Sequence, residues 1–288
     1  MADFSLGEAA LVGFRFARER PAAIAWWTGL QLVFNLAAAA LMAGLGIDVA
    51  AAMQAAQAAE GQPDLTQVAP VMQAWAALLP LAMVFSALLM AAANRAVLAP
   101  QDDRFGYLRA GADEARMLIV MLALMGLMAL AVFVASLLTA PLVAIGGASA
   151  TPVVVPLTIL ALLWTWSRFS LAAPLTLARR RVSVGASWTL TRPVARKVFL
   201  TLTVSAGLYI LVLLLGLTIN VAIDGLLGMA GLAAPPTGPA SIGDAFTPRA
   251  LITELLASLI SALGAAIIAC PPAVIFEQLS RVQARPGD

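Results

Sequence analysis

Histidine is absent from the 288 residues, and cysteine occurs once, at Cys270. The first absence removes the commonest general base and the commonest metal ligand together. The second leaves neither an intramolecular disulfide nor a cysteine-based zinc site. Charge is scarce as well, at 11% of residues, and Lys197 is the sole lysine. Phosphate loops of the P-loop or dinucleotide type do not occur, since Gly146-Gly147 reads as a short turn, so no nucleotide or other cofactor is expected. The formal charge of +2 is sorted by loop, which is a topological signal and does not imply nucleic acid. Abundant alanine and the preference for arginine over lysine point to a GC-rich bacterial genome.

What remains is apolar: 62% of the chain is hydrophobic and the mean hydropathy is +0.95, values that make lipid the solvent for most residues. Runs such as Met117 to Leu138 and Phe199 to Asn220 carry no charge, and each is long enough to cross roughly 30 Å of hydrocarbon as a helix. Alternating ten-residue strands of a membrane barrel do not occur, and a continuous apolar run satisfies its own backbone only as a helix. The fold class is therefore all-α, a single polytopic membrane domain with spans at about 21–47, 69–98, 117–144, 152–177, 198–222 and 251–279. The first run follows Arg15, Arg18 and Arg20, as in a signal peptide. About twenty residues precede it, however, and it exceeds an h-region in length, so it reads as a retained span.

Arginines gather in alternate connections. Arg95, Arg104, Arg109 and Arg116 lie between spans two and three; Arg168, Arg179, Arg180, Arg181, Arg192, Arg196 and Lys197 lie in or near the connection between four and five; Arg281 and Arg285 follow span six. The opposite connections hold Asp48, Glu60 and Asp64, then no charge, then Asp224 and Asp244 with Arg249 as their only base. The positive-inside rule places both termini in the cytoplasm of a bacterial inner membrane. Each odd span is preceded by a short segment that reads as an elbow helix lying along the headgroups, at about 4–20, 102–116 and 183–191. Ser5 and Glu8 have capping-box spacing, Asp102 or Asp103 offers an N-cap to the second elbow, and Ser183 to the third. Three elbow-plus-hairpin units result, although ordinary linker helices would give the same pattern. Between spans one and two, Val49 to Glu60 reads as a further helical segment; Pro235, Pro236 and Pro239 exclude a continuous helix between five and six.

Few residues offer chemistry. The acid pairs Asp102-Asp103 and Asp113-Glu114 flank arginines, where capping and headgroup-level ion pairs explain them. Ser205-Ala206-Gly207 reads as a close-packing step between helices. Arg168 is the most informative residue, because it lies inside span four and needs protein or water around it. Glu277, at a similar depth in span six, is its first candidate partner, ahead of Asn94; snorkelling to the headgroups is the alternative. Gln31 and Asn35 share a helix face. Trp26, Trp27, Trp75 and Trp188 read as interfacial belt residues, and Trp164 and Trp166 as packing residues.

The stretch Trp166-Ser167-Arg168-Phe169-Ser170-Leu171-Ala172-Ala173-Pro174, with Ser187-Trp188-Thr189-Leu190-Thr191-Arg192 after it, resembles a bacterial multi-span family related to the glycerophosphoryl diester phosphodiesterase membrane domain. Phe4-Ser5-Leu6-Gly7-Glu8-Ala9 followed by Gly13 is similar too. The resemblance implies a membrane module, which in some relatives is joined to a soluble hydrolase barrel whose catalysis uses histidines and metal-binding carboxylates. The expectation here is the module without the barrel and without its activity.

The leading expectation is a non-enzymatic module that associates with membrane lipids, anionic ones included, or with a membrane-protein partner or second copy. Arg104, Arg109, Arg179, Arg180, Arg192, Arg196 and Lys197 are its candidate headgroup contacts, each well-placed base contributing about 1 kcal/mol. A small transporter or channel built around Arg168, Glu277 and Asn94 is the second reading. A membrane-embedded lipid enzyme using carboxylates or serines is the third.

Overall fold

The computed structural model describes residues 5–45, 65–231 and 246–283. The expected helix over Val49 to Glu60, the acids Asp48, Glu60, Asp64 and Asp244, the prolines 235, 236 and 239, and Arg285 lie outside the described residues. Helices in chain order are α1 (Leu6–Glu19), α2 (Pro21–Gly44), α3 (Leu65–Leu98), α4 (Ala112–Gly146), α5 (Thr151–Phe169), α6 (Ala172–Arg179), α7 (Val184–Thr191), α8 (Ala195–Met229) and α9 (Pro248–Gln283). No strand occurs among the described residues. Among the described residues six stretches are long and apolar enough to cross a membrane: Pro21–Met42, Met72–Leu98, Arg104–Gly146, Thr151–Arg179, Val184–Met229 and Pro248–Arg281. The chain is an all-α, multi-pass membrane protein. Its helices expose leucine, valine, isoleucine and phenylalanine along their length, as at Leu122, Phe133 and Leu138 on α4 and Val153, Leu157 and Leu160 on α5. A water-facing surface of that kind would aggregate, whereas lipid accepts it.

Two compact units divide the chain. The first comprises residues 1–20, 87–209 and 265–288. Here α1 begins at Ser5, whose side chain accepts a hydrogen bond from the Glu8 amide at 3.4 Å, and it buries Ala9, Ala10, Val12, Gly13 and Phe16. Gly13 lies directly on the α9 backbone: a Cβ placed there would stand 2.5 Å from the Ile267 Cα and 2.6 Å from the Ala266 carbonyl oxygen. Small residues are also buried in this unit, Ala91 to Ala93 on α3 and Ala266, Ala269 and Ala273 on α9, where the Cys270 thiol lies 4.0 Å from the Ala93 carbonyl. Small side chains let helix backbones approach closely where no hydrophobic effect drives them together. The apolar α4 packs against α5, α6 and α7.

The second unit comprises residues 21–86 and 210–264. Met42, Ala74 and Leu78 form its buried cluster, and Phe34 packs on Phe85 with ring centroids 5.2 Å apart. The shared face of Gln31 and Asn35 becomes a hydrogen-bonded chain, in which Gln31 donates to Asn35 at 3.1 Å and Asn35 to the Ser258 hydroxyl at 3.2 Å. Arg249 pairs with Asp224 at 2.7 Å.

Elbows one and three are helical, as α1 and α7. The second is different. Asp102 to Gly111 is irregular and holds only a short turn, Arg104–Tyr107, in which Phe105, Gly106 and Tyr107 all have positive φ. Neither Asp102 nor Asp103 caps a helix there, because their carboxylates are committed to arginines: Asp102 to Arg109 and Asp103 to Arg20, the latter at 3.1 Å. The left-handed residues turn the chain so that Tyr107 is buried beside Phe16 and donates its hydroxyl to the Pro100 carbonyl at 3.2 Å. Trp27, expected in an interfacial belt, is fully buried.

Candidate functional site

Span four is two helices. A proline at position 174 cannot donate to the carbonyl four residues back and its ring clashes with that carbonyl, which belongs to Ser170. Accordingly α5 ends at Phe169 and α6 starts at Ala172, with Ser170 and Leu171 as the turn. Hydroxyl groups from α7 attend the break: the Arg168 carbonyl accepts from Ser187 at 2.9 Å and from Thr191 at 3.2 Å. Serine and threonine commonly satisfy backbone groups at such breaks inside a membrane.

The Arg168 side chain completes a two-way clamp between α5 and α7. It is 4% exposed, its Nη2 donates to the Trp188 carbonyl at 3.0 Å, and its guanidinium carbon lies 4.4 Å from the centre of the Trp188 ring. Trp188 is in the last turn of α7, where carbonyls lack helical partners and a cation is favoured. The ring adds a cation–π attraction, and Phe169 packs on it at 5.4 Å. The pair expected between Arg168 and Glu277 does not form. Glu277 instead accepts from Arg281, one turn later on α9, at 2.6 Å. Equal depth in two helices leaves open which way each side chain faces, and Arg168 faces α7. Asn94 is not a partner of Arg168 either; its Nδ2 donates to the Met90 carbonyl at 2.7 Å.

Asn94 opens instead onto a cavity of about 140 Å³ within the first unit. One wall is the stripe Leu163, Trp166 and Ser170 of α5 and its turn, continued by Ala173 and Pro174 of α6; the facing wall is Phe199, Leu202, Thr203 and Ala206 of α8, with Ile268 and Pro272 of α9 behind. Its lining is overwhelmingly apolar. Leu163, Trp166 and Thr203 are exposed while Asn94, Ser170 and Ser205 are buried, so the space is a slot that opens sideways between α5 and α8 and ends at polar groups. Of these, the Ser170 hydroxyl donates to the Ser167 carbonyl at 2.8 Å and the Ser205 hydroxyl to the Thr201 carbonyl at 3.0 Å. Asn94 is fully buried, yet its Oδ1 accepts no hydrogen bond.

Beside the slot the sequence is basic. From Ala115 to Ile223 there is no Asp or Glu, while Arg179, Arg180, Arg181, Arg192, Arg196 and Lys197 fall in this stretch, all of them exposed. None of the five arginines has a carboxylate partner among the described residues. Arg196 lies one helical turn before Phe199, at the slot wall. Of the other expected headgroup contacts, Arg104 is exposed and Arg109 pairs with Asp102.

The arginine ion pairs expected of the paired acids are present, and only that of Glu114 is buried instead of lying at headgroup level. Glu114 is buried and bonded to Arg95, which is equally buried; Arg95 also donates to the Tyr107 carbonyl at 3.1 Å and lies 3.8 Å from Asp113, itself paired with Arg116 at 2.5 Å. This is an internal lock on the second elbow. Close packing around Ser205-Ala206-Gly207 also fails at Gly207, where an added Cβ would meet nothing within 4 Å. The slot itself left no sequence signal, because a stripe such as Phe199, Leu202, Thr203 and Ala206 does not stand out on a helix that is apolar all round.

Compared with protein-family models, with curated proteins and with solved structures, the chain finds no match.

Proposed function

We propose that this chain is a non-enzymatic protein of a bacterial inner membrane, with both termini in the cytoplasm, that associates with lipid as an accessory module in lipid handling or envelope assembly. The observation that carries the reading is the pairing of a side-opening apolar slot with a neighbouring basic segment free of acids. An apolar lipid segment fits the first, and the anionic headgroups of the surrounding bilayer the second, each base contributing about 1 kcal/mol near a charged surface. Arginine distribution supports the orientation. The resemblance to the glycerophosphoryl diester phosphodiesterase membrane family supports a membrane module and lends nothing to phosphodiesterase chemistry here. An enzyme resting on carboxylates finds little support, since Asp113 and Glu114 are held by Arg95 and Arg116. A transport path around Arg168 is disfavoured by the clamp that fixes its side chain on α7.

The test is photo-crosslinking in nanodiscs with a phospholipid carrying a diazirine in its acyl chain. Labelling is expected to concentrate on peptides containing Trp166 and Phe199, to fall severalfold in Ala206→Trp, and to be stronger for an anionic than a zwitterionic headgroup until Arg192 and Arg196 are changed to Glu. Uniform labelling of the exposed helix faces, indifferent to Ala206→Trp, would refute the reading.

A further inference from the structure

Resting on that lipid reading, we infer that the slot selects an apolar membrane molecule whose polar end is a neutral hydrogen-bond donor, a hydroxyl lipid of the long-chain alcohol or diacylglycerol type, with Asn94 Oδ1 as the acceptor. The amide of Asn94 has a defined orientation. Its nitrogen is engaged by the Met90 carbonyl at 2.7 Å, which leaves the oxygen, with two lone pairs, as the end without a partner. The residue is fully buried and lines the slot. Neighbouring groups do not supply the missing proton, because Ser170 and Ser205 direct their hydroxyl hydrogens at the carbonyls of Ser167 and Thr201. The buried inner end of the slot therefore offers acceptors and no spare donor, the remaining donors of the lining, the Thr203 hydroxyl and the Trp166 indole N–H, belonging to residues exposed at the mouth.

That imbalance discriminates between chemistries. A phosphate, carboxylate or ester carbonyl brings only acceptors and would add a second unpaired oxygen beside the first. An ammonium group brings donors, but its charge would lie in an apolar pocket without a carboxylate. A hydroxyl supplies one proton and no charge, and its hydrocarbon can run outward past Trp166 and Phe199 to the mouth. Depth agrees: Asn94 lies one turn before the end of α3 at Leu98, the level where the glycerol region of a lipid meets the helix end. The cavity is comparable to the roughly 150 Å³ apolar cavity that accommodates benzene, so it receives the first few carbons and the polar end rather than a whole lipid.

The experiment compares two photoreactive probes in nanodiscs of zwitterionic lipid, a diazirine-bearing dodecanol and its methyl ether. They differ by the donor alone. In the wild-type protein the alcohol is expected to label the slot about tenfold more efficiently, which corresponds to about 1.4 kcal/mol. Asn94→Leu should abolish the preference while the ether still labels, and Ala206→Trp should remove both. Equal labelling by alcohol and ether in the wild type overturns the inference and leaves the lipid slot standing. Labelling by neither overturns the slot as well. A preference that survives Asn94→Leu overturns the assignment to Asn94, and the wild-type comparison decides the donor question even where that variant does not fold.

Discussion

Replacing Gly13 by alanine adds a single carbon at the tightest backbone contact of α1. The new Cβ would stand 2.5 Å from the Cα of Ile267 and 2.7 Å from its nitrogen, whereas carbon atoms rest at about 3.5 Å. Neither neighbour is a side chain that can rotate away, so α1 must retreat by roughly 1 Å, and a gap of that size forfeits a quarter to a half of each dispersion contact it opens. Ala9, Ala10, Val12 and Phe16, all buried on the same face, share that loss. Overpacking of this kind costs about 1–3 kcal/mol. The better helix propensity of alanine returns about 1 kcal/mol, leaving a net destabilisation of up to about 2 kcal/mol. At about 2–4 °C per kcal/mol for a chain of this size, Tm in mild detergent should fall by up to about 8 °C. Gly207→Ala, whose added Cβ meets nothing within 4 Å, is the matched control and should hold or raise Tm. If Gly13→Ala melted no lower than Gly207→Ala, the packing of α1 on α9 would be wrong.

Three further outcomes follow from the same contacts. Arg95→Met strands the buried Glu114 carboxylate and should cost about 3–5 kcal/mol, whereas Arg95→Met with Glu114→Met should recover at least half of that; a double-mutant cycle on denaturation midpoints reads the coupling. Arg168→Lys replaces a planar fork by a point charge that cannot hold the Trp188 carbonyl and cover its ring together, so a loss of about 1–2 kcal/mol is expected from thermal melting. Gly216→Ala places its Cβ against the Cδ1 of Ile260, the movable end of a side chain, and should melt closer to the wild type than Gly13→Ala does, for all that its contact is the shorter.

The spans were legible because hydrocarbon imposes length and composition on anything that crosses it, and uncharged runs such as Met117 to Leu138 meet both demands. Helix starts were legible where one residue decides them, as with Ser5 before α1. The second elbow was not, because its geometry comes from carboxylates taken by distant arginines: Asp103 is bound to Arg20, far away in the chain, and its N-cap propensity is overridden. Arg168 was recognisable as a residue that must have partners, since a buried charge needs them wherever it sits. The identity of those partners depends on which way α5 is rotated about its axis, and an all-apolar helix carries no mark of its rotation. Asn94 drew notice as an intramembrane amide, yet only the Met90 carbonyl shows which of its two ends is free.

The clamp and the slot are two sides of one break. Pro174 ends α5, and the interruption turns Ser170 toward the slot while Arg168 faces α7, with Phe169 between them, lining the slot and packed on Trp188. On the Arg168 side, Ser187, Thr191 and Trp188 take up the backbone and side-chain groups that the break exposes. On the Ser170 side none of the described residues fills the space, and an apolar cavity with an unpartnered acceptor remains. A protein shaped only for stability gains by closing such a cavity, because each missing carbon forfeits contacts and an unpaired buried oxygen carries a penalty of about 1–3 kcal/mol. Here the same short stretch engages its backbone carbonyl and one guanidinium nitrogen on one face, with the Arg168 Nη1 left over the Trp188 ring without a hydrogen-bond partner, and leaves the other face open. That asymmetry is what a binding slot requires: a rigid wall, fixed by α7, behind a space kept free for an occupant.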